Sequence, residues 1–150
     1  MLAFVSADYL GGTNVKVNTV TGGGMTWVLV VRANVQNGTS EIWRAFAPAV
    51  LTGVTVTATV SKAVAGSITV MAFNGANASG TNGSGAIGAT GSANALSGAP
   101  SASLVTTRNN SYVVGVGNDW DGAVARTLGP GQTLVSQFLT TNDDTFWVQR

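Results

Sequence analysis

The sequence predicts an all-β fold, a two-sheet antiparallel sandwich of the jelly-roll kind with about ten short strands. Apolar and polar residues alternate along several short segments, helical periodicity is almost absent, and glycine-rich turns separate the segments. The 150 residues, of which 45% are hydrophobic, suffice for one domain with a substantial core. We therefore expect residues 1–150 to form a single sandwich domain.

The clearest strand is the segment 54–60, in which Val and Ala alternate with Thr. This pattern places Val and Ala toward the core and the threonines toward solvent, as in an antiparallel strand with one solvent-exposed face. The other predicted strands are residues 2–6, 15–20, 26–31, 41–46, 67–73, 103–107, 111–117, 133–139 and 145–149.

Turn residues separate these strands. The strongest hairpin signal is Asn37-Gly38, because both residues tolerate the left-handed conformation that a type I′ turn requires. Further turns are predicted at Gly11-Gly12, Gly22-Gly23-Gly24 and Gly129-Pro130-Gly131.

Residues 74–102 differ in character, since they are almost all Gly, Ala, Ser, Asn and Thr, with Ile87 and Leu96 as the larger apolar side chains. This composition fits three interpretations: a domain linker, a stretch of thin strands, or a long surface loop. We favour a long loop that crosses one end of the sandwich, because the strands on either side are too few for two separate domains.

Composition excludes several classes of function. Charged residues make up 9% of the chain, against about 25% in typical soluble domains. The net charge is +1 and the basic residues are scattered, so a nucleic-acid partner is not expected. No segment approaches the roughly 20 apolar residues of a membrane helix, so membrane insertion is not expected either.

The chain contains no cysteine and no histidine. Disulfides, thiolate metal sites and Ser-His-Asp or Cys-His catalysis within the chain are therefore excluded. We expect a protein that is not an enzyme, with no catalytic residue and no cofactor unless it is Ca²⁺.

The segment Asn118-Asp119-Trp120-Asp121 is the most site-like part of the sequence. Asn118, Asp119 and Asp121 offer oxygen ligands for Ca²⁺ from one loop. A third carboxylate is available from Asp143, Asp144 or Asp8. The alternative is that these acids cap turns through hydrogen bonds to the backbone.

Tryptophan side chains are candidates for stacking on sugar rings where they are exposed. Trp27 and Trp43 lie in strongly apolar or alternating strands, so we expect them to be buried. Trp120 lies among turn residues and is the best candidate for ligand binding, although a single aromatic ring makes a weak sugar platform.

Four short motifs follow one another along the chain: Gly24-Met25-Thr26-Trp27, Ile42-Trp43-Arg44-Ala45, Ala72-Phe73-Asn74-Gly75 and Asn118-Asp119-Trp120-Asp121. Together with the threonine-rich strand 54–60, they resemble the β-sandwich modules of large secreted bacterial surface proteins. The resemblance spans most of residues 2–76 and 104–149 and implies attachment, glycan binding or spacing. Such modules usually carry a further strand on each side, so both chain ends are expected to be cut at strand positions.

These observations predict a non-catalytic structural or adhesion module located outside the cell or at its surface. The expected partners are further copies of the chain or neighbouring domains, reached through unpaired strand edges. Two alternatives stay open: a calcium-dependent carbohydrate-binding module that also binds glycan, and a jelly-roll component of a viral capsid or tail.

Overall fold

The computed structural model describes residues 1–11 and 14–150. Within this part of the chain, nine strands and one short 3-10 helix are formed. The strands are β1 (Leu2–Ala7), β2 (Val17–Gly22), β3 (Val28–Ala33), β4 (Thr39–Arg44), β5 (Val56–Val60), β6 (Gly66–Met71), β7 (Gly115–Asp119), β8 (Leu134–Leu139) and β9 (Thr145–Gln149). The 3-10 helix is Thr81–Ala86. The all-β prediction is confirmed.

The described strands form three antiparallel sheets and not the predicted two. Their strand orders are β3-β4-β1-β6, β2-β5 and β7-β9-β8. The error has a physical reason, because alternation within a strand indicates which face is buried but not which strands pair.

The four-stranded sheet forms the middle layer. Side chains alternate along β1, so Val5 and Ser6 point to opposite faces of this sheet. Val5 lies in one apolar cluster with Val17 and Val20 of β2. Ser6 Oγ donates a hydrogen bond of 3.0 Å to the carbonyl oxygen of Gly117 in β7. The β2–β5 pair therefore covers one face, and the three-stranded sheet covers the other.

Each interface has its own buried side chains. Between the middle sheet and β2–β5, the cluster includes Trp27 and Trp43, each 8% exposed, which confirms their predicted burial. Strand β5 alternates as predicted, with its Val and Ala half-buried and its Thr exposed. On β1 and β9, Phe4 and Phe146 are both almost completely buried.

The turns agree with the sequence in part. Gly131 has a φ of 75°, and Gln132 N donates to Gly129 O at 3.2 Å, as expected for a turn at Gly129-Pro130-Gly131. Gly22, Gly23 and Gly24 all have positive φ in the connection to β3. Gly12 of the predicted Gly11-Gly12 turn lies outside the described residues.

The hairpin predicted at Asn37-Gly38 exists, but the type I′ turn is wrong. Strands β3 and β4 pair in antiparallel fashion with Ala33 opposite Ser40, and residues 34–38 connect them. Gly38 has a φ of 77°, whereas Asn37 is not among the residues with positive φ. The longer connection needs only one left-handed residue.

The strand predicted at residues 103–107 is not formed. Residues 101–113 are exposed throughout, and no strand lies between Met71 and Gly115. A strand requires a partner for its backbone groups, and this segment has none in a sheet. In the described part of the chain, no helix is long and apolar enough to cross a membrane.

Candidate functional site

The site-like segment of the sequence lies at one end of the three-stranded sheet. Asn118 and Asp119 end β7, and the turn between β8 and β9 occupies residues 140–144. Strand β1 ends beside them, because Asn118 Nδ2 donates a hydrogen bond of 3.2 Å to Ala7 O. The fold thus brings the predicted residues of 118–121 near Asp8 and Asp144, which are distant in sequence.

Asp119 is held by an ion pair with Arg126. The Nη1 atom of Arg126 lies 2.7 Å from Oδ2 of Asp119, and both side chains are partly exposed. Oδ1 of Asp119 accepts a long hydrogen bond of 3.4 Å from the backbone N–H of Asp121. This local bond is of the turn-capping kind that the sequence left open as the alternative to calcium.

Asp121 is exposed, whereas Asn118 is partly buried. The calcium site of Asn118, Asp119 and Asp121 therefore stays a prediction. To bind an ion through Oδ2, Asp119 would have to weaken its ion pair with Arg126.

Trp120 is partly buried at the same loop. Within the described residues, no other aromatic ring pairs with it, since the aromatic pairs are Phe73 with Tyr112 and Phe138 with Phe146. Sugar stacking on Trp120 stays a prediction that rests on one ring.

Asp144 is the most unusual side chain of this region, because it is 0% exposed although it can carry a charge. Its Oδ2 accepts a 3.0 Å hydrogen bond from Thr140 Oγ1. Burial raises the pKa of the Asp144 carboxyl above its ordinary value, and the Thr140 hydrogen bond opposes this shift. The negative charges of Asp8, Asp143 and Asp119 raise the pKa further.

Asp8 follows β1 and borders a surface cavity of about 450 Å³. Its backbone N–H donates to Ala65 O at 2.9 Å, which ties the end of β1 to the loop before β6. Asn142 of the β8–β9 turn lines the same cavity. The cavity therefore gives solvent access to the space between Asp8 and that turn.

Sequence reasoning missed a second polar centre, around Glu41 of β4. Glu41 is 0% exposed, and Arg32 of β3 binds both of its oxygens, with Nε at 2.7 Å and Nη2 at 3.0 Å. Three further groups donate hydrogen bonds to Glu41: Val17 N at 2.8 Å, Thr39 Oγ1 at 2.9 Å and Trp43 Nε1 at 2.9 Å. The sequence did carry a signal for this centre. Residues two apart in a strand share a face, so Glu41 lies on the same face of β4 as Trp43, which was predicted to be buried.

The unpaired strand edges are a second kind of candidate site. The first and last strands, β1 and β9, are paired on both sides, so the open edges of the larger sheets belong to β3, β6, β7 and β8. Strand β8 leaves Leu134, Phe138 and Leu139 between 40% and 49% exposed. Strand β6 leaves Ile68 and Val70 exposed to a similar degree.

Comparisons with protein-family models, with curated proteins and with solved structures returned no match for this chain.

Proposed function

We propose that this chain is a non-catalytic extracellular module with a structural or adhesive role, which assembles with further copies of itself through strand edges. The observation that carries the proposal is the edge strand β8. Among the described residues it pairs with β9 alone, and three of its large apolar side chains are exposed.

An open strand edge offers unpaired N–H and C=O groups to a strand of another chain. Natural proteins usually protect such edges with charged residues, Lys above all, or with Pro. Strand β8, with the sequence LVSQFL, contains none of these. The backbone of β8 supplies hydrogen bonds to an added strand, and Leu134, Phe138 and Leu139 supply apolar area.

Strand β6 supports the same proposal. It forms the edge of the four-stranded sheet, and its sequence GSITVM also lacks charge and proline. Ile68 lies opposite Val5 of β1 and Val70 lies opposite Ala3, on the face that carries the main apolar cluster. Both are partly exposed at this edge, at 39% and 36%.

Composition supports the rest of the proposal. With 9% charged residues and a net charge of +1, copies of the chain repel one another little. The lack of His and Cys supports a non-catalytic role. The extracellular location rests on the Thr-, Ser-, Asn- and Gly-rich composition and on the resemblance to secreted bacterial modules.

The test is the solution mass by light scattering across a concentration series, with negative-stain microscopy of the same samples. We expect assemblies that grow with concentration. The substitution Phe138→Lys places a charge on the β8 edge and is expected to lower the assembled fraction about tenfold, since a desolvated charge opposes burial. Leu139→Lys tests the same edge without removing the Phe138–Phe146 contact.

Val50→Lys is the matched control, because Val50 is exposed and lies in the connection between β4 and β5. It adds the same charge and is expected to leave assembly unchanged. A monomer at every concentration would refute assembly through strand edges. Equal loss of assembly in all three variants would show that net charge, and not the β8 edge, controls association.

A further inference from the structure

We propose that Asp8, Asn118 and Asp144 bind one divalent cation, for which Ca²⁺ is the best match, and we call these three residues the oxygen cluster. Three buried side-chain oxygens in the described part of the chain have no hydrogen-bond partner: Asp8 Oδ1, Asn118 Oδ1 and Asp144 Oδ1. Buried polar atoms are almost always hydrogen-bonded, so three exceptions near one end of the three-stranded sheet need an explanation.

Asn118 and Asp8 lie near each other at the end of β1. The amide of Asn118 is oriented by its Nδ2 bond to Ala7 O, which leaves Oδ1 as the free atom. A Cβ at Gly38 would overlap this amide and would lie 3.4 Å from the carbonyl carbon of Asp8. Gly38 thus allows the β3–β4 connection to close over these two residues.

Asp144 reaches the cluster from the β8–β9 turn, directly before β9. Asn118 lies opposite Phe146 in the β7–β9 ladder, so Asp144, two residues before Phe146, lies diagonal to Asn118 on the same face. Asp8 and Asp144 are close enough for their charges to interact, and Asp8 shares its cavity with Asn142 of the β8–β9 turn. Three separate elements therefore supply the oxygen cluster.

Within the part of the chain that the structure describes, no basic side chain forms an ion pair with the cluster. The two ion pairs found among the described residues are Arg32–Glu41 and Arg126–Asp119, and neither involves Asp8 or Asp144. Asp144 is 0% exposed, and an isolated buried carboxylate is strongly unfavourable. A divalent cation would neutralise both carboxylates and use all three free oxygens.

The ligand set favours calcium over other ions. Carboxylate and amide oxygens are the ligands of hard cations, and Ca²⁺ accepts irregular sets of oxygen ligands more readily than Mg²⁺ does. Within residues 1–11 and 14–150, no group of three or more acidic side chains comes together as a metal site. The amide oxygen of Asn118 is therefore essential to the proposal, and solvent from the adjoining cavity would complete the coordination shell.

The test uses the purified chain, freed of metal with a chelator and dialysed. With three protein ligands, we expect a dissociation constant of roughly 10⁻⁴–10⁻³ M and one Ca²⁺ per chain by titration calorimetry. At about 10 mM calcium this binding should raise Tm by roughly 3–10 °C. Magnesium at the same concentration should give a smaller rise.

Asp144→Asn keeps the shape of the side chain and removes its charge. We expect the calcium-dependent rise in Tm to fall at least threefold, while the metal-free variant melts at or above the metal-free parent because a buried charge is gone. A purely structural role of Asp144 predicts the opposite, a lower Tm without metal and an unchanged response to calcium. Asp8→Asn provides a second variant with the same expected loss.

Asp121→Asn is the matched control, since Asp121 is exposed and lies outside the oxygen cluster. It should retain the full calcium response. The proposal is overturned if the parent shows no calcium-dependent rise, or if Asp144→Asn and Asp8→Asn both retain it. Loss of the response in Asp121→Asn alone would instead place the ion on the loop of residues 118–121.

Discussion

At the scale of single residues, buried charge separates two regions of this molecule. Glu41 is completely buried, but Arg32 and three further donors satisfy both of its oxygens. Asp144 is equally buried, yet one of its oxygens has no partner. A buried charge is costly unless it is paired, so the first carboxylate is part of the stable core, and the second is the basis of the proposed cation site.

The Glu41 centre leads to a prediction about stability. Arg32→Leu removes the only cation that Glu41 contacts among the described residues and leaves its carboxylate buried. We expect the free energy of unfolding to fall by about 3 kcal/mol, measured by urea denaturation. Lys62→Leu is the control, because Lys62 is exposed and such changes usually lie within about 0.5 kcal/mol. Equal effects of the two substitutions would contradict the assigned role of Arg32.

At the scale of elements, the three-stranded sheet depends on a close cross-strand contact. Gly117 of β7 lies opposite Trp147 of β9, and a Cβ at Gly117 would overlap the indole ring. The absence of a side chain at this position lets the ring lie over β7. The guanidinium of Arg126 lies over the Trp147 ring, with its Cζ 5.6 Å from the ring centroid.

Gly117→Ala is therefore expected to destabilise the protein. The added methyl group must displace the Trp147 ring, and such overpacking typically costs about 1–3 kcal/mol. Gly115→Ala is a control on the same strand, since its Cβ would meet Gln149 Cγ at an ordinary 3.5 Å. Thermal melting of both variants checks this, and a Tm of Gly117→Ala equal to that of Gly115→Ala would contradict it.

At the scale of the whole molecule, the layers around β1 determine where stability is concentrated. Strand β1 pairs with β4 on one side and β6 on the other, and residues 3–7 are all buried. One face of β1 meets β2 and the other meets β7. Residues 101–113, in contrast, are exposed along their whole length.

Native-state hydrogen exchange tests this arrangement. We expect the β1 amides to exchange slowest, at rates set by global unfolding, because no local opening exposes a strand that is paired on both sides. The amides of residues 101–113 should exchange within the dead time of the experiment, since their backbone lies outside every sheet. Faster exchange in β1 than in the edge strand β6 would contradict the layered arrangement.

Local patterns predicted much of the fold. The alternation of residues 54–60 predicted both the strand β5 and the face that it buries, since a period of two follows directly from strand geometry. Gly129-Pro130-Gly131 predicted its turn for a similarly local reason. Proline restricts its own φ, whereas glycine permits positive φ. Both ends of β2, β3 and β4 lie two residues from their predicted positions, and β7 begins four residues later than predicted, since strand ends depend on pairing partners.

The sequence by itself determined that this protein is built from antiparallel strands, that Trp27 and Trp43 are buried, and that acidic and amide side chains occur around residues 118–121. Only the tertiary structure decided that there are three sheets, that β6 and β8 have open edges, and that Asn118 contacts the end of β1 beside Asp8. The physical reason is the separation along the chain over which each kind of interaction acts. Side-chain alternation and turn chemistry act over a few residues, whereas strand pairing joins residues as far apart as Leu2 and Met71, and Asn118 contacts Ala7 across 111 residues of chain.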